Sequence, residues 1–175
     1  MLIAFELSGE HKTIPPSEVR ACLESLEVDF ALHLELDRCL IIDVPGNFEE
    51  IARILSRKLA MTHHIIKVMG IGGPRMDDIL EMVEGSGIDF KGTYSIRARC
   101  LKGYSGIDTE LVERQIGRSF YEKGFRANLE NPEIQFRILL VEEKSIFGHI
   151  IGSVDRSAFE ARKPHLKPFF YPGVL

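Results

Sequence analysis

The sequence of 175 residues contains only three cysteines. Cys22, Cys39 and Cys100 are too few and too widely spaced to form a disulfide framework, and no CxxC metal-binding pair is present. Two of the three lie in segments with a periodic apolar pattern. We therefore expect them to be buried thiols of a cytoplasmic protein.

Long apolar runs are lacking too. No run approaches the roughly 20 residues that a membrane-spanning helix needs. The opening segment MLIAFELSGEHK also lacks the apolar core of a secretory signal. The composition, with 45% hydrophobic and 27% charged residues, is typical of a globular chain. We expect no membrane partner.

Residue groupings that carry catalysis are missing as well. His63 and His64 are neighbours in a predicted strand, where side chains alternate between faces, so their rings cannot hold one ion together. The other four histidines have no cysteine or carboxylate at ligand spacing. Ser105 lacks the strand–turn–helix setting of a nucleophilic serine, and residues 131–133 (Asn-Pro-Glu) predict a turn. The sequence therefore predicts no catalytic residue and no metal site in this chain.

The glycine-rich run of residues 70–74 (GIGGP) lies between a predicted strand and a predicted helix, where dinucleotides bind in many folds. That function requires G-x-G-x-x-G and an acidic residue about 20 positions later. Here proline follows the third glycine, and the next predicted strand is basic. The run is better interpreted as a hinge between two domains.

Apolar periodicity predicts an α+β protein with two units. The first seventy residues follow the order β-α-β-β-α-β, which is that of the ferredoxin-like fold. The second is a smaller α/β unit, in which Asp108 caps a helix that Gly124 ends. The predicted strands are 2–7, 29–36, 38–44, 62–70, 92–101, 133–143 and 146–154, and the predicted helices are 15–26, 48–59, 75–84 and 109–123.

The formal net charge is −4, but the positive charges are concentrated. Residues 91–126 contain eight Lys or Arg against four Asp or Glu. A basic stretch on an acidic chain favours a localised anionic partner over nonspecific binding to polyanions. An unevenly charged, solvated surface is the alternative interpretation.

Candidate nucleic-acid contacts lie within this stretch. Strand alternation places Arg97 and Arg99 on one face, which suits contacts to phosphate, while the following loop adds a cation and an aromatic ring for stacking. Arg114 and Arg118 lie four residues apart on a predicted helix, where pairs with Glu110 and Glu122 are an equally good interpretation. The candidate RNA-binding side chains are Arg97, Arg99, Lys102, Tyr104, Arg114, Arg118 and Arg126.

Several segments resemble one enzyme family in the same order and spacing. Residues 5–10 (FELSGE) and 59–63 (LAMTH) are similar to the N-terminal ferredoxin-like domain of the archaeal and eukaryotic tRNA methyltransferases that modify the N2 amino group of guanosine 10. Residues 94–99 (YSIRAR), 114–117 (RQIG) and 128–132 (NLENP) resemble successive signatures of a THUMP domain. This module also occurs in thiouridine synthetases and pseudouridine synthases.

The resemblance implies a ferredoxin-like domain at 1–70, a THUMP domain at 71–155 (starting near 50 in a sequence profile) and a linker at 156–175. The linker resembles the segment that leads into the methyltransferase domain of the family. That domain and its S-adenosylmethionine would then lie outside this chain, in cis or in trans. The candidate site residues of the linker are Arg162, Lys163, Lys167, Phe169 and Phe170.

The resemblance further implies that the chain binds the acceptor end of tRNA and positions tRNA for catalysis elsewhere. An aromatic linker without its partner domain could also produce a homodimer. Two alternatives stay open at this stage. One is a stand-alone THUMP adaptor for a separate tRNA-modifying enzyme, and the other is a ferredoxin-like domain that binds a metabolite or oligomerises.

Overall fold

The protein is described here from a computed structural model, which covers residues 1–102 and 106–155. These residues form four helices and eight strands. In chain order they are β1 (Leu2–Leu7), α1 (Ile14–Ser25), β2 (Ala31–Leu36), β3 (Cys39–Asp43), α2 (Glu49–Lys58), β4 (Thr62–Gly72), α3 (Met76–Gly85), β5 (Thr93–Cys100), α4 (Thr109–Glu122), β6 (Arg126–Ala127), β7 (Ile134–Val141) and β8 (Lys144–Ser153). Among the described residues, no helix is long and apolar enough to cross a membrane.

The starts of α2 and α4 and the end of α4 have residues suited to those positions. The Asp108 carboxylate accepts a hydrogen bond from the Glu110 N–H at 2.9 Å, and Gly124 follows α4 with φ +86°. Both capping predictions are confirmed. At the start of α2, the Asn47 side chain accepts a bond from the Glu49 N–H. The two-residue strand β6 was not predicted, because so short a segment carries no periodic pattern.

All eight strands belong to one sheet, in the order β2-β3-β1-β4-β8-β7-β5-β6. In the first half (β1 to β4) the pairs are antiparallel, whereas in the second half β5 runs parallel to both β6 and β7. β4 and β8 pair antiparallel from His64↔Ser153 to Gly72↔Ser145 and join the two halves. The predicted mixed α+β class is therefore confirmed, and the two predicted units share a single sheet.

The structure corrects the prediction made for the glycine-rich run. Gly70 and Gly72 lie inside β4 and pair with Phe147 and Ser145 of β8, so the predicted hinge is wrong for residues 70–72. Their lack of a side chain has a packing role, because a Cβ atom on Gly70 would lie 2.6 Å from the Met82 Cγ atom of α3. The run lets α3 approach the sheet closely.

The four helices cover one side of the sheet. α1 and α2 pack on the first half through Val19, Leu23, Ala52 and Leu55, which are all fully buried. α3 and α4 pack on the second half over an aromatic cluster that includes Tyr94, Phe120, Phe136 and Phe147. Burial of these apolar side chains provides the main driving force for the arrangement.

The opposite side carries no helix among the described residues, yet it contains a third buried apolar cluster. Ala4 and Ile41 in the first half and Leu139 in the second belong to it. Strong curvature of the sheet explains their burial. The Asp37 N–H, in the turn between β2 and β3, donates a hydrogen bond to Glu142, in the turn between β7 and β8, at 3.0 Å. The helix-free face is therefore concave.

The join between β4 and β8 depends on Gly148. A Cβ atom at this position would lie 2.1 Å from the Lys67 carbonyl oxygen, and backbone cannot move away cheaply. We expect Gly148→Ala to lower the free energy of unfolding by about 1–3 kcal/mol through overpacking. Gly117→Ala is the control, because nothing lies within 4 Å of its Cβ position in α4. It should raise stability by about 0.5–1 kcal/mol. Urea unfolding measures both changes in stability, and equal changes would contradict the close packing of Gly148 against β4.

Candidate nucleic-acid interface

Three arginines occupy neighbouring positions on β5 and β7. Arg97 and Arg137 are register partners in the parallel pair, and Arg99 follows two residues after Arg97 on the same strand. They alternate with residues that pack beneath α3 and α4, such as Ile96 and Ile138. The predicted shared face of Arg97 and Arg99 agrees with this alternation.

Arg137 was missed in the sequence analysis. Its strand, IQFRILLV, is largely apolar, and a single arginine in such a strand does not indicate a binding site. The available signal was period two, since Phe136 and Ile138 face the helices and the residue between them must face away. Its neighbour across the sheet could not be identified without knowing the pairing of β5 and β7.

Arg99 and Arg137 both bind the carboxylate of Glu6, which lies on β1 in the first half. Arg137 donates from Nε to Oε2 and from Nη2 to Oε1, each at 2.9 Å, and Arg99 donates from Nη1 to Oε1 at 2.5 Å. In a flat sheet β1 and β7 would be three strand spacings apart, roughly 14 Å. Curvature of the sheet brings these side chains together. Glu6 is fully buried, whereas Arg137 is 13% and Arg99 41% exposed.

The electrostatics of Glu6 follow from these contacts. Burial alone raises its pKa and is the largest single influence. The hydrogen bonds and charge of Arg137, with the charge of Arg99 and that of His64 when its ring is protonated at acid pH, outweigh burial and hold the pKa of Glu6 below its ordinary value of 4.5. The carboxylate is therefore ionised at neutral pH.

His64 lies beside this cluster, opposite Glu6 in the pairing of β1 with β4. Its Nδ1 atom lies 3.0 Å from the Ser153 hydroxyl of β8. Burial lowers the pKa of His64, the charge of Glu6 opposes this, and the charges of Arg137 and Arg99 lower the pKa further. The ring is therefore neutral at pH 7 and adds hydrogen-bonding capacity, but no charge, to the concave face.

Arg97 has a different carboxylate partner. Its Nη1 atom lies 3.2 Å from Glu113 Oε2 of α4, and the other oxygen of Glu113 accepts the Ala98 N–H at 2.8 Å. Glu113 thus satisfies a backbone donor of β5 while it holds the guanidinium. Half of the Arg97 side chain is still exposed.

A shallow groove between α4 and the segment after β6 adds two exposed apolar side chains. Tyr121 is 77% and Leu129 64% exposed, and they line the groove with Arg97, Arg114 and Gly117 and with the carboxylates of Glu110 and Glu113. An exposed aromatic ring beside arginines is the composition of a base-stacking site. Tyr121 was missed in the sequence analysis, although it lies seven residues after Arg114 and so on the same face of α4.

The remaining predicted site residues that the structure describes do not join the Glu6 cluster. Arg118 pairs with Glu122 on exposed α4 at 2.9 Å, as its alternative interpretation predicted, and Lys102 lies 3.5 Å from Asp37. Arg126 is exposed on β6. Five predicted linker residues and Tyr104 lie outside the described residues: Arg162, Lys163, Lys167, Phe169 and Phe170. Within residues 1–102 and 106–155, no group of three or more His, Cys, Asp or Glu side chains could hold a metal ion.

No protein-family profile matches the chain. It is 31% identical over 171 residues to a tRNA (guanine(10)-N2)-dimethyltransferase of Methanothermobacter thermautotrophicus, covering 97% of this chain and 49% of that protein. It is 26% identical over 190 residues to the protein of the same name in Methanocaldococcus jannaschii, covering 99% and 54%. The chain is thus similar over nearly its whole length to two proteins named tRNA (guanine(10)-N2)-dimethyltransferase. The chain spans about half the length of these curated relatives.

Solved structures share the fold at low sequence identity. TrmN from Thermus thermophilus superimposes with a TM-score of 0.63 at 16% identity, over 88% of this chain and 46% of that one. PH1313 from Pyrococcus horikoshii gives 0.58 at 15%, over 86% and 55%. A 4-thiouridine synthetase solved with RNA and ATP gives 0.51 at 13%, over 85% and 40%. At these identities the comparison establishes the fold.

Acid should weaken the fold through Glu6. Its pKa is lower in the folded than in the unfolded chain, so its stabilising contribution is fully present above the ordinary value of 4.5 and is lost as the pH falls through the lower folded value. We expect the free energy of unfolding of the parent chain to decrease in this window more steeply than that of Glu6→Gln. Urea unfolding at a series of pH values measures both. Parallel curves would contradict the assigned pKa direction.

Proposed function

We propose that the chain is the tRNA-binding part of a tRNA guanosine-10 N2-methyltransferase. In this proposal a ferredoxin-like first half and a THUMP second half bind the acceptor end of tRNA and position it for a catalytic domain outside this sequence. Similarity over 97% of the chain to relatives of that name supports the proposal. The observation that carries it is the row of three arginines on β5 and β7.

The arginine row suits phosphate because guanidinium groups bind phosphate oxygens through paired N–H donors. The nearby groove with Tyr121 adds a surface on which a base can stack. Together they provide the two kinds of contact by which a protein binds an RNA end. A metabolite site would instead require an enclosed pocket with convergent polar groups.

Methyl transfer in the proposed enzyme would use S-adenosylmethionine, and residues 70–73 do not fit that cofactor. Gly70 and Gly72 are paired within β4, and Met82 occupies the space in front of both. Their backbone N–H groups are therefore not gathered in a loop that could hold the cofactor. We assign the cofactor to the catalytic domain.

Phosphate contacts make tRNA binding depend on salt. We expect Arg97→Ala/Arg99→Ala to weaken tRNA binding on the order of tenfold and to reduce the slope of log K against log salt by about two units, equally for all tRNAs. Arg53→Ala/Arg57→Ala on α2 removes the same charge from a remote, exposed helix face and should leave the slope unchanged. Binding measured between about 50 and 200 mM salt tests both. If both variants reduce the slope equally, binding is nonspecific.

The acceptor-end assignment has its own test. An RNA minihelix of the acceptor stem with its single-stranded 3′ end should displace full-length tRNA from the chain at a similar concentration, since it presents the same phosphates and unpaired bases. An anticodon stem–loop of equal length is the control and should compete poorly. Equal competition by the two RNAs would overturn the acceptor-end assignment, while leaving RNA binding itself intact.

A further inference from the structure

The concave face contains an imbalance of charge around Glu6. One carboxylate is bound by two guanidinium groups, Arg99 and Arg137, and the adjacent His64 is neutral at pH 7. The cluster therefore carries one positive charge in excess, in a partly buried position. A positive charge that is partly removed from water favours an anion beside it.

The three side chains form a gradient from the interior to the solvent. Glu6 is fully buried, Arg137 is nearly so, and Arg99 is 41% exposed. Arg137 uses two nitrogens on the two oxygens of Glu6, which is the full bidentate geometry. Arg99 uses one nitrogen on an oxygen that Arg137 already occupies.

Glu6 does not need Arg99 to balance its charge or to complete its hydrogen bonds. A carboxylate with a bidentate arginine is already neutralised, and a second, half-exposed guanidinium adds positive charge where solvent can reach it. The contact between Glu6 and Arg99 instead restricts the side chain of Arg99. A restricted arginine that retains N–H donors loses less conformational freedom when it binds a phosphate.

We propose that Glu6 is a positioning residue that holds Arg99 for contact with a backbone phosphate of RNA. The inference rests on the proposed function and adds a specific architecture to it. The phosphate site is built from both halves of the sheet, because Glu6 comes from β1 and the arginines come from β5 and β7. The partner that fits is RNA, whose backbone presents phosphates to the half-exposed guanidinium of Arg99.

A double-mutant cycle separates positioning from a purely structural role. The four proteins are the parent, Glu6→Gln, Arg99→Ala and the double variant, and the readout is the Kd for tRNA at a temperature where all four are folded. We expect Arg99→Ala to weaken binding about fivefold to tenfold and Glu6→Gln about threefold. In the double variant, Glu6→Gln should add nothing, because there is no Arg99 left to position.

Other patterns overturn the inference. If the effects of the two substitutions on the Kd multiply in the double variant, Glu6 acts independently of Arg99. If Glu6→Gln leaves binding unchanged or tightens it, the excess positive charge acts without positioning. Arg53→Ala, on the distant helix α2, is the matched control and should leave the Kd unchanged.

Arg99→Lys keeps the proposal testable if Glu6→Gln does not fold. Lysine keeps the charge but has a single ammonium group, which cannot bind Glu6 and a phosphate in the fork geometry of arginine. It should therefore lose most of the affinity that Arg99→Ala loses. Binding of Arg99→Lys equal to that of the parent overturns the positioning role, whereas no tRNA binding by the parent chain overturns the proposed function itself.

Discussion

A single buried carboxylate constrains the shape of this protein. Glu6 lies in the interior of the sheet, where an ionised group is stable only if opposite charge and hydrogen bonds surround it. Its partners, Arg99 and Arg137, lie 93 and 131 residues later, across three and two intervening strands respectively. The sheet must curve for these atoms to meet, and the curvature also encloses the apolar cluster on the helix-free face. The ion pairs and this apolar cluster therefore support the same geometry.

The carboxylate contacts also change what the basic stretch means. Counted along the sequence, residues 91–126 have a clear excess of positive charge. In the structure Arg97, Arg99 and Arg118 each have a carboxylate within 3.2 Å. Glu113 and Glu122 belong to the same stretch, whereas the partner of Arg99, Glu6, comes from β1 at the other end of the sequence. Arg99 and Arg137 differ from ordinary surface arginines because one buried carboxylate, Glu6, fixes both side chains. The Arg97 side chain begins on the same strand as Arg99 but is held by Glu113 of α4.

The shared sheet has a consequence for how the two halves act. β4 and β8 pair over most of their lengths, so the halves cannot rotate freely as two domains on a flexible linker would. Contacts that an RNA makes on β5 and β7 are held in a fixed relation to the first half. In the proposed function this rigidity lets the distance from a bound RNA end to a catalytic domain be set by the protein.

The sequence by itself determined the local features. Apolar periodicity and capping residues predicted the mixed α+β class, the limits of α4 between Asp108 and Gly124, and the common face of Arg97 and Arg99, because each depends on residues within one or two turns along the chain. Only the tertiary structure decided that residues 70–72 continue a strand, that Arg137 adjoins Arg97 and that Glu6 binds Arg99 and Arg137. These depend on which strands pair and how strongly the sheet curves. Both are consequences of burying distant apolar surfaces together, and no local pattern of residues encodes them.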